Sequence, residues 1–74
     1  MFTVKVINKD KSEWLYATKA VTMRRGPHEE GLPLPGLNLH GVYGDDGATV
    51  NISAEGTTAF VMNDGGATVA RYDF

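Results

Sequence analysis

The residues best suited to chemistry lie together in the stretch RRGPHEEGLPLPG, residues 24–36. Its first two residues are Arg24 and Arg25. Arginine presents a planar fork of N–H donors that can bind a phosphate or a carboxylate through two parallel hydrogen bonds. The pair therefore predicts a site for an anionic, nucleotide-like ligand or for an acidic protein surface. The structural alternative is that Arg24 pairs with Glu29 or Glu30 and only solubilises the loop.

Other side chains could complete such a site. Tyr43 or Trp14 could offer an aromatic face to a base, and His28 could add a hydrogen bond. In a symmetric oligomer the arginine pair would be repeated around the axis, so that one pocket would collect several guanidinium groups.

The second half of the same stretch is apolar and stiff. Each proline of its two Leu-Pro units fixes φ and lacks an N–H donor, and the residue before it is held extended. A solvated linker would be more polar. We therefore expect this segment either to fold over the mouth of the domain or to display Leu32, Leu34 and Leu37 to a partner. Long loops in compact domains tend to be functional or disordered.

Catalytic chemistry has few candidates in this chain. It contains no cysteine, and the ordinary general bases near neutral pH are His28 and His40. Ser53, His40 and Asp45 could be combined into a nucleophilic triad, but their spacing matches no nucleophile motif. The sequence therefore predicts a protein that is not an enzyme.

Metal binding is also disfavoured by the pattern. Carboxylates and imidazoles are scattered between residues 28 and 46 without His-x-x-x-His or Glu-x-x-His spacing. The Gly44–Gly47 turn lacks the alternating oxygen ligands of a calcium loop. No glycine run matches a phosphate-binding motif that opens a helix. We predict no metal and no other cofactor.

The totals restrict the class of protein. A chain of 74 residues forms one small domain with a marginal core. Because disulfides are excluded, oligomerisation is the common remaining support, and we predict a homo-oligomer. The formal net charge of -2 argues against general nucleic-acid binding. Neither a membrane span nor a signal peptide is evident, so we expect a cytoplasmic protein with no membrane partner.

The hydrophobic pattern predicts strands along the whole chain, separated by glycine-rich turns. We expect one all-β domain over residues 1–74, a five- or six-stranded antiparallel meander forming a small barrel or sandwich, with a long central loop at about 25–37. A helix over residues 10–22 is the alternative for one segment. A bend or bulge should divide the long second strand near residues 17–19. The predicted strands cover residues 2–6, 13–24, 37–43, 48–53, 57–63 and 67–74.

The predicted core collects large apolar residues from most strands. Phe60 and Met62 share one face of their strand and Val61 occupies the other, so this strand should be central or lie against a partner. Phe74 could seal the edge of the core or enter a neighbouring subunit. The predicted core residues are Phe2, Val4, Val6, Trp14, Leu15, Tyr16, Val21, Met23, Val50, Ile52, Phe60, Val61, Met62, Val69 and Tyr72.

The two ends of the chain, FTVKVINKDKSEWLYATKAV at residues 2–21 and FVMNDGGATVARY at residues 60–72, resemble small proteins encoded in proteobacterial and phage or prophage genomes. The resemblance does not extend to the central loop. It implies a small acidic β-protein that binds something of the host, such as a defence nuclease or a nucleotide second messenger. It assigns no role to any residue.

These observations favour a non-catalytic binding protein of phage or mobile-element type. It would act by occupancy, on a host defence protein or by sequestering an anionic nucleotide-like ligand. One alternative is a structural or assembly subunit that self-associates through its β edges without a ligand. Another is a small hydrolase or metal-dependent enzyme that uses the two histidines. The predicted binding residues are Arg24, Arg25, His28, Leu32, Leu34, Leu37 and Tyr43.

Overall fold

A computed structural model describes residues 1–44 and 46–74. These residues form a single antiparallel sheet, and no helix that could span a membrane occurs among them. The prediction of an all-β fold with five or six antiparallel strands is confirmed, and the number is six. The strands are β1 (Phe2–Ile7), β2 (Glu13–Arg24), β3 (Gly36–Val42), β4 (Val50–Ile52), β5 (Thr58–Met62) and β6 (Thr68–Asp73).

The strand order across the sheet is β4-β3-β2-β1-β5-β6. The first four strands follow one another as the predicted meander. After β4 the chain crosses to the other side of the sheet, where β5 pairs with β1 rather than with β4. The two edges of the sheet are therefore β4 and β6, and in the described part of the chain the sheet is not closed into a barrel.

The long strand β2 pairs with two different strands along its length. It pairs with β1 from Glu13 to Thr18, and with β3 from Thr18 to Arg24. At the change of partner, the buried hydroxyl of Thr18 donates to the carbonyl oxygen of His40 at 2.6 Å. The alternation of inward-facing residues along β2 also shifts by one position here, because Tyr16 packs on the core before Thr18 and Val21 packs on it afterwards. This is the segment where the sequence predicted a bend, and it curls the sheet around its own core.

The core lies inside this curl. It joins Val4 and Val6 of β1 to the buried apolar residues of β3, β4 and β5. The predicted core omitted four buried residues, Leu37, Leu39, Val42 and Ala59, although all four lie in predicted strands. The fully buried residues and those near full burial are Val4, Val6, Leu37, Leu39, Val42, Ile52, Ala59 and Val61.

Three predicted core residues are exposed, and that part of the prediction is wrong. Trp14, Leu15 and Val69 expose 59%, 69% and 55% of their surfaces. Trp14 stands at the rim of a groove where β2 begins. Leu15 points to the outer face of the sheet, since its neighbours Trp14 and Tyr16 lie on the inner face. Val69 lies on the edge strand, at a β-bulge opposite Val61 and Met62.

Strand β5 is apolar on both faces because it is internal to the sheet, between β1 and β6. Ala59 and Val61 point into the core, whereas Phe60 and Met62 are half-buried on the outer face. The guanidinium carbon of Arg71 lies 5.3 Å from the centroid of the Phe60 ring. A cation over an aromatic face is a favourable arrangement, and it covers part of this apolar surface.

The loop between β2 and β3 is fastened to the outer face of the sheet at its second half. The Asn38 side-chain amide donates to the Leu34 carbonyl oxygen at 2.8 Å. The Asn51 amide donates to the Pro35 carbonyl oxygen and to the Asn38 side-chain oxygen, both at 3.0 Å. These two asparagines, which face each other across β3 and β4, form what we call the asparagine clasp.

Candidate functional site

The arginine pair lies at a cavity where β2 ends. Arg24 faces Gly36 across the β2–β3 ladder, and Arg25 begins the loop. The cavity has a volume of about 230 Å³, and we call it the Arg24 pocket. It is lined by Met23, Arg24, Arg25, Gly26, Pro35, Gly36, Ser53 and Phe74.

One donor atom of Arg24 has no partner. Its Nη1 is buried and makes no hydrogen bond to the described residues. The ion pairs within the described part of the chain involve neither arginine of the pair, nor Glu29 or Glu30. The structural alternative, in which a loop glutamate neutralises Arg24, is therefore not what this fold contains. A buried donor without an acceptor costs stability.

Gly36 allows the wall of this pocket to close. Its φ is strongly positive, at +111°. A Cβ atom at this position would lie 2.6 Å from the Ile52 carbonyl oxygen and 2.7 Å from the Ser53 Cβ. Only glycine therefore lets the end of β4 approach β3 so closely and bring Ser53 beside the arginine pair.

The pocket suits an anionic group with a small apolar attachment. Its volume corresponds to about eight water molecules at about 30 Å³ each, enough for one phosphate or carboxylate and a few further atoms. Arg24 and Arg25 supply positive charge, while Met23 and Phe74 supply apolar surface. The described lining side chains include no histidine, no aspartate and no glutamate.

A groove beside this pocket contains Trp14. It has a volume of about 300 Å³ and its lining includes Trp14, Tyr16, Asn51 and Ser53. Ser53 also lines the Arg24 pocket, so the two depressions adjoin at this residue. A ligand whose anionic end occupied the pocket could therefore extend towards the exposed Trp14 ring.

Tyr43 does not belong to the same site. It follows β3 directly, next to the Thr18–Val42 pair, whereas Arg24 pairs with Gly36 at the other end of the ladder. The separation is about 20 Å at about 3.3 Å per strand residue. Tyr43 therefore cannot stack on a base whose phosphate is held by Arg24 of the same chain, and this combination is corrected.

The remaining predicted contact residues divide between core and surface. Leu37 is fully buried in the core, so its predicted role as an apolar contact for a partner is wrong. Its side chain faces inwards because it occupies the same face of β3 as Leu39. Leu32 and Leu34 each expose 49% of their surfaces, and His28 is exposed in the loop. These three remain available to a partner, but none lines the Arg24 pocket.

The residues weighed for catalysis are not assembled. His40 Nε2 lies 2.8 Å from Thr22 Oγ1, and the Ser53 hydroxyl donates to Asn51 Oδ1 at 2.8 Å. Both groups are thus occupied by other partners. Asp45, the third residue of that arrangement, lies outside the described residues. Within the described ranges, no three histidine or carboxylate side chains come together as a metal site would need.

Sequence reasoning missed three residues of the pocket, namely Met23, Ser53 and Phe74. Met23 had been assigned to the core, Ser53 to a turn and Phe74 to the edge of the core or a neighbouring subunit. They are far from one another in the chain, and only the curl of the sheet brings Ser53 and Phe74 beside Arg24. No local signal in the sequence could have grouped them.

Comparisons with models of protein families, with curated proteins and with solved structures find no match to this chain.

Proposed function

We propose that this protein is a non-catalytic binding protein whose Arg24 pocket takes a phosphate or carboxylate group of a small ligand. The observation that carries the proposal is the buried Nη1 of Arg24, which has no hydrogen-bond partner among the described residues. An oxygen of an anionic group would supply the missing acceptor, and a hydrogen bond between charged groups is stronger than one between neutral groups.

The rest of the pocket supports the same proposal. Arg25 adds a second positive charge, and the loop glutamates form no ion pair with either arginine. The adjoining groove would hold a flat or apolar part of the ligand against Trp14. A nucleotide fits this description, with its phosphate in the pocket and its base near the indole ring. The phage or mobile-element context stays a prediction from the sequence.

The test removes the guanidinium group of Arg24. Arg24→Met replaces the side chain by an unbranched apolar one. We expect this variant to be at least as stable as the parent protein without ligand, because the Nη1 atom that it removes is buried without a hydrogen-bond partner among the described residues. It should also lose the stabilisation that inorganic phosphate and mononucleotides give to the parent protein, measured by thermal unfolding at constant ionic strength.

Calorimetric titration with the same mononucleotides gives the affinity directly. Arg24→Met should bind about ten- to a hundred-fold more weakly, as expected for loss of a hydrogen bond between charged groups. Lys19→Ala is the matched control, since it removes one exposed positive charge elsewhere on β2 and should bind normally. Equal affinity of the parent and Arg24→Met for every anion tested, or no binding by the parent, would refute the proposal.

A further inference from the structure

Strand β6 presents a free backbone edge over a defined set of residues. The Phe74 amide donates to the Thr57 carbonyl oxygen at 2.9 Å. In an antiparallel ladder, successive residues point their N–H and C=O groups alternately to the two sides. Ala70 and Tyr72 therefore face β5 like Phe74, while the backbone groups of Arg71 and Asp73 face away from the sheet. The β-bulge interrupts this alternation at Val69, so the regular free edge is residues 70–74.

The side chains along this edge also alternate. Arg71 and Asp73 are exposed on the outer face, where the Arg71 guanidinium lies 3.3 Å from the Asp73 carboxylate. Ala70 and Tyr72 are half-buried and pack on the core side. The edge thus carries one positive and one negative charge on one face, with an aromatic residue between them on the other.

We propose that two copies of this chain pair antiparallel through their β6 edges, with Tyr72 at the two-fold axis. Only residues whose backbone groups face the edge can form the hydrogen-bonded pairs. A two-fold axis through Arg71 would oppose two arginines, and one through Asp73 would oppose two aspartates. With the axis at Tyr72, Arg71 of each copy lies opposite Asp73 of the other, which is the register with complementary charges.

This register satisfies both faces of the joined sheet. On the outer face, the two Arg71 and two Asp73 side chains alternate in sign, each flanked by an opposite charge along its own strand and across the interface. Opposite charges in facing positions of antiparallel strands stabilise pairing, and like charges oppose it. On the inner face the two Tyr72 residues meet as a non-hydrogen-bonded pair, where facing side chains are closest. The backbone edge, a known route to association, is thereby covered.

The other edge offers less. Strand β4 has only 3 residues, whereas β6 has 6. An interface confined to one strand edge is small, so we expect a weak, concentration-dependent dimer that forms between about 10 µM and 1 mM, in the range of transient complexes. This inference does not rest on binding at the Arg24 pocket, although Phe74 at the end of the free edge also lines that pocket.

The test uses charge reversal and mixing. Arg71→Asp places like charges opposite each other at two symmetric positions, and Asp73→Arg does the same with the opposite sign. Each variant alone should dimerise about ten-fold more weakly than the parent, measured by sedimentation velocity. An equimolar mixture should form a heterodimer, because the two aspartates on the edge of one variant then face the two arginines on the edge of the other. Loss of folding in either variant cannot mimic this recovery.

The matched control replaces Arg71→Asp by Lys19→Asp, which has the same net charge but an unaltered edge. Mixed with Asp73→Arg, it has one facing pair of two arginines and one pair of opposite charges, so its heterodimer should be clearly weaker than that of Arg71→Asp with Asp73→Arg. Equally strong heterodimers in the two mixtures would assign the recovery to net charge and overturn the proposed register. A parent protein that remains a monomer up to about 1 mM would overturn the dimer itself, and would leave the edge free for an extended segment of another protein.

Discussion

Leu37 lies in the same leucine- and proline-rich stretch as Leu32 and Leu34, yet it is fully buried while they are half-exposed. The difference comes from β3, which begins at Gly36 and carries Leu37 into the curl of the sheet. Residue type predicted the same role for all three leucines. Their surroundings depend on which of them belongs to a strand, and that was decided by pairing with β2 and β4.

Shortening Leu37 should therefore destabilise the protein, whereas shortening Leu32 should not. We expect Leu37→Ala to lower the free energy of unfolding by about 2–5 kcal/mol, because it leaves a cavity in the core. Leu32→Ala, the matched control, should change it by less than about 0.5 kcal/mol. Denaturant unfolding of both variants gives the comparison. Similar losses for the two variants would contradict the assignment of Leu37 to the core.

Hydrogen bonds in the turn between β1 and β2 lower the pKa of the Asp10 carboxyl group. It accepts hydrogen bonds from both the side chain and the backbone amide of Ser12, and these bonds hold its pKa below the ordinary value of 3.8. A folded-state pKa below that of the unfolded chain means that stability is present above about 3.8 and is lost as the pH falls through the folded value.

We therefore expect the Asp10 carboxyl to titrate below 3.8 in the folded protein, followed by NMR chemical shift. Ser12→Ala removes the hydroxyl donor and should move the midpoint back towards the ordinary value. Asp73, whose pKa is lowered by its own hydrogen bonds from Thr58 and Arg71, is unaffected by this substitution and serves as an internal reference. A midpoint at or above 3.8 in the parent protein would contradict the proposed role of these hydrogen bonds.

Among the elements, the long loop is the one whose behaviour depends most on side chains distant in sequence. Its composition predicted either a cover or a display surface, and the structure contains features of both. The asparagine clasp holds Leu34 and Pro35 on the outer face of the sheet by their carbonyl oxygens. The residues before them remain exposed, and the arginine pair is left at the Arg24 pocket.

Breaking the clasp should release the loop before it unfolds the sheet. Asn51→Ala removes the bonds to the Pro35 carbonyl and the Asn38 side chain, and should cost about 1–3 kcal/mol. Trypsin cleavage after Arg25 should become faster, because local opening of the loop then costs less. Asn8→Ala, which removes two hydrogen bonds to Ser12 in the β1–β2 turn, is the control. Equal acceleration by both variants would assign the effect to global unfolding.

At the scale of the whole molecule, a single core connects both halves of the curled sheet. Buried residues of β1 and β5 contact those of β3 and β4, and β2 pairs with both halves. Neither half has a separate core. A domain built in this way should unfold as one cooperative unit.

Hydrogen exchange can test this cooperativity. The slowest amides of β1, β2, β3 and β5 should all exchange through global unfolding, at about 4–11 kcal/mol for a domain of this length. The edge strands β4 and β6 should exchange faster, since one side of each is unpaired. If β3 opened at a clearly lower free energy than β1 and β5, the two halves would be separate units and the single-core description would fail.

The sequence by itself determined the class of the fold and the position of most strands. Alternation and glycine-rich turns are local signals, so β1, β2 and the last two strands could be predicted within one or two residues. The sequence also identified Arg24 and Arg25 as candidate binding residues. Two adjacent arginines can bind an anion through paired hydrogen bonds, and the loop that follows them is stiffened by proline.

Only the tertiary structure decided which residues meet. The crossing of β5 to β1 and the inward face of β3 are set by long-range pairing, and no local pattern encodes them. They bury Leu37, expose Trp14 and bring Ser53 and Phe74 to the arginine pair. The physical reason is that burial and contact belong to the folded sheet as a whole, whereas a sequence pattern reports on one strand at a time.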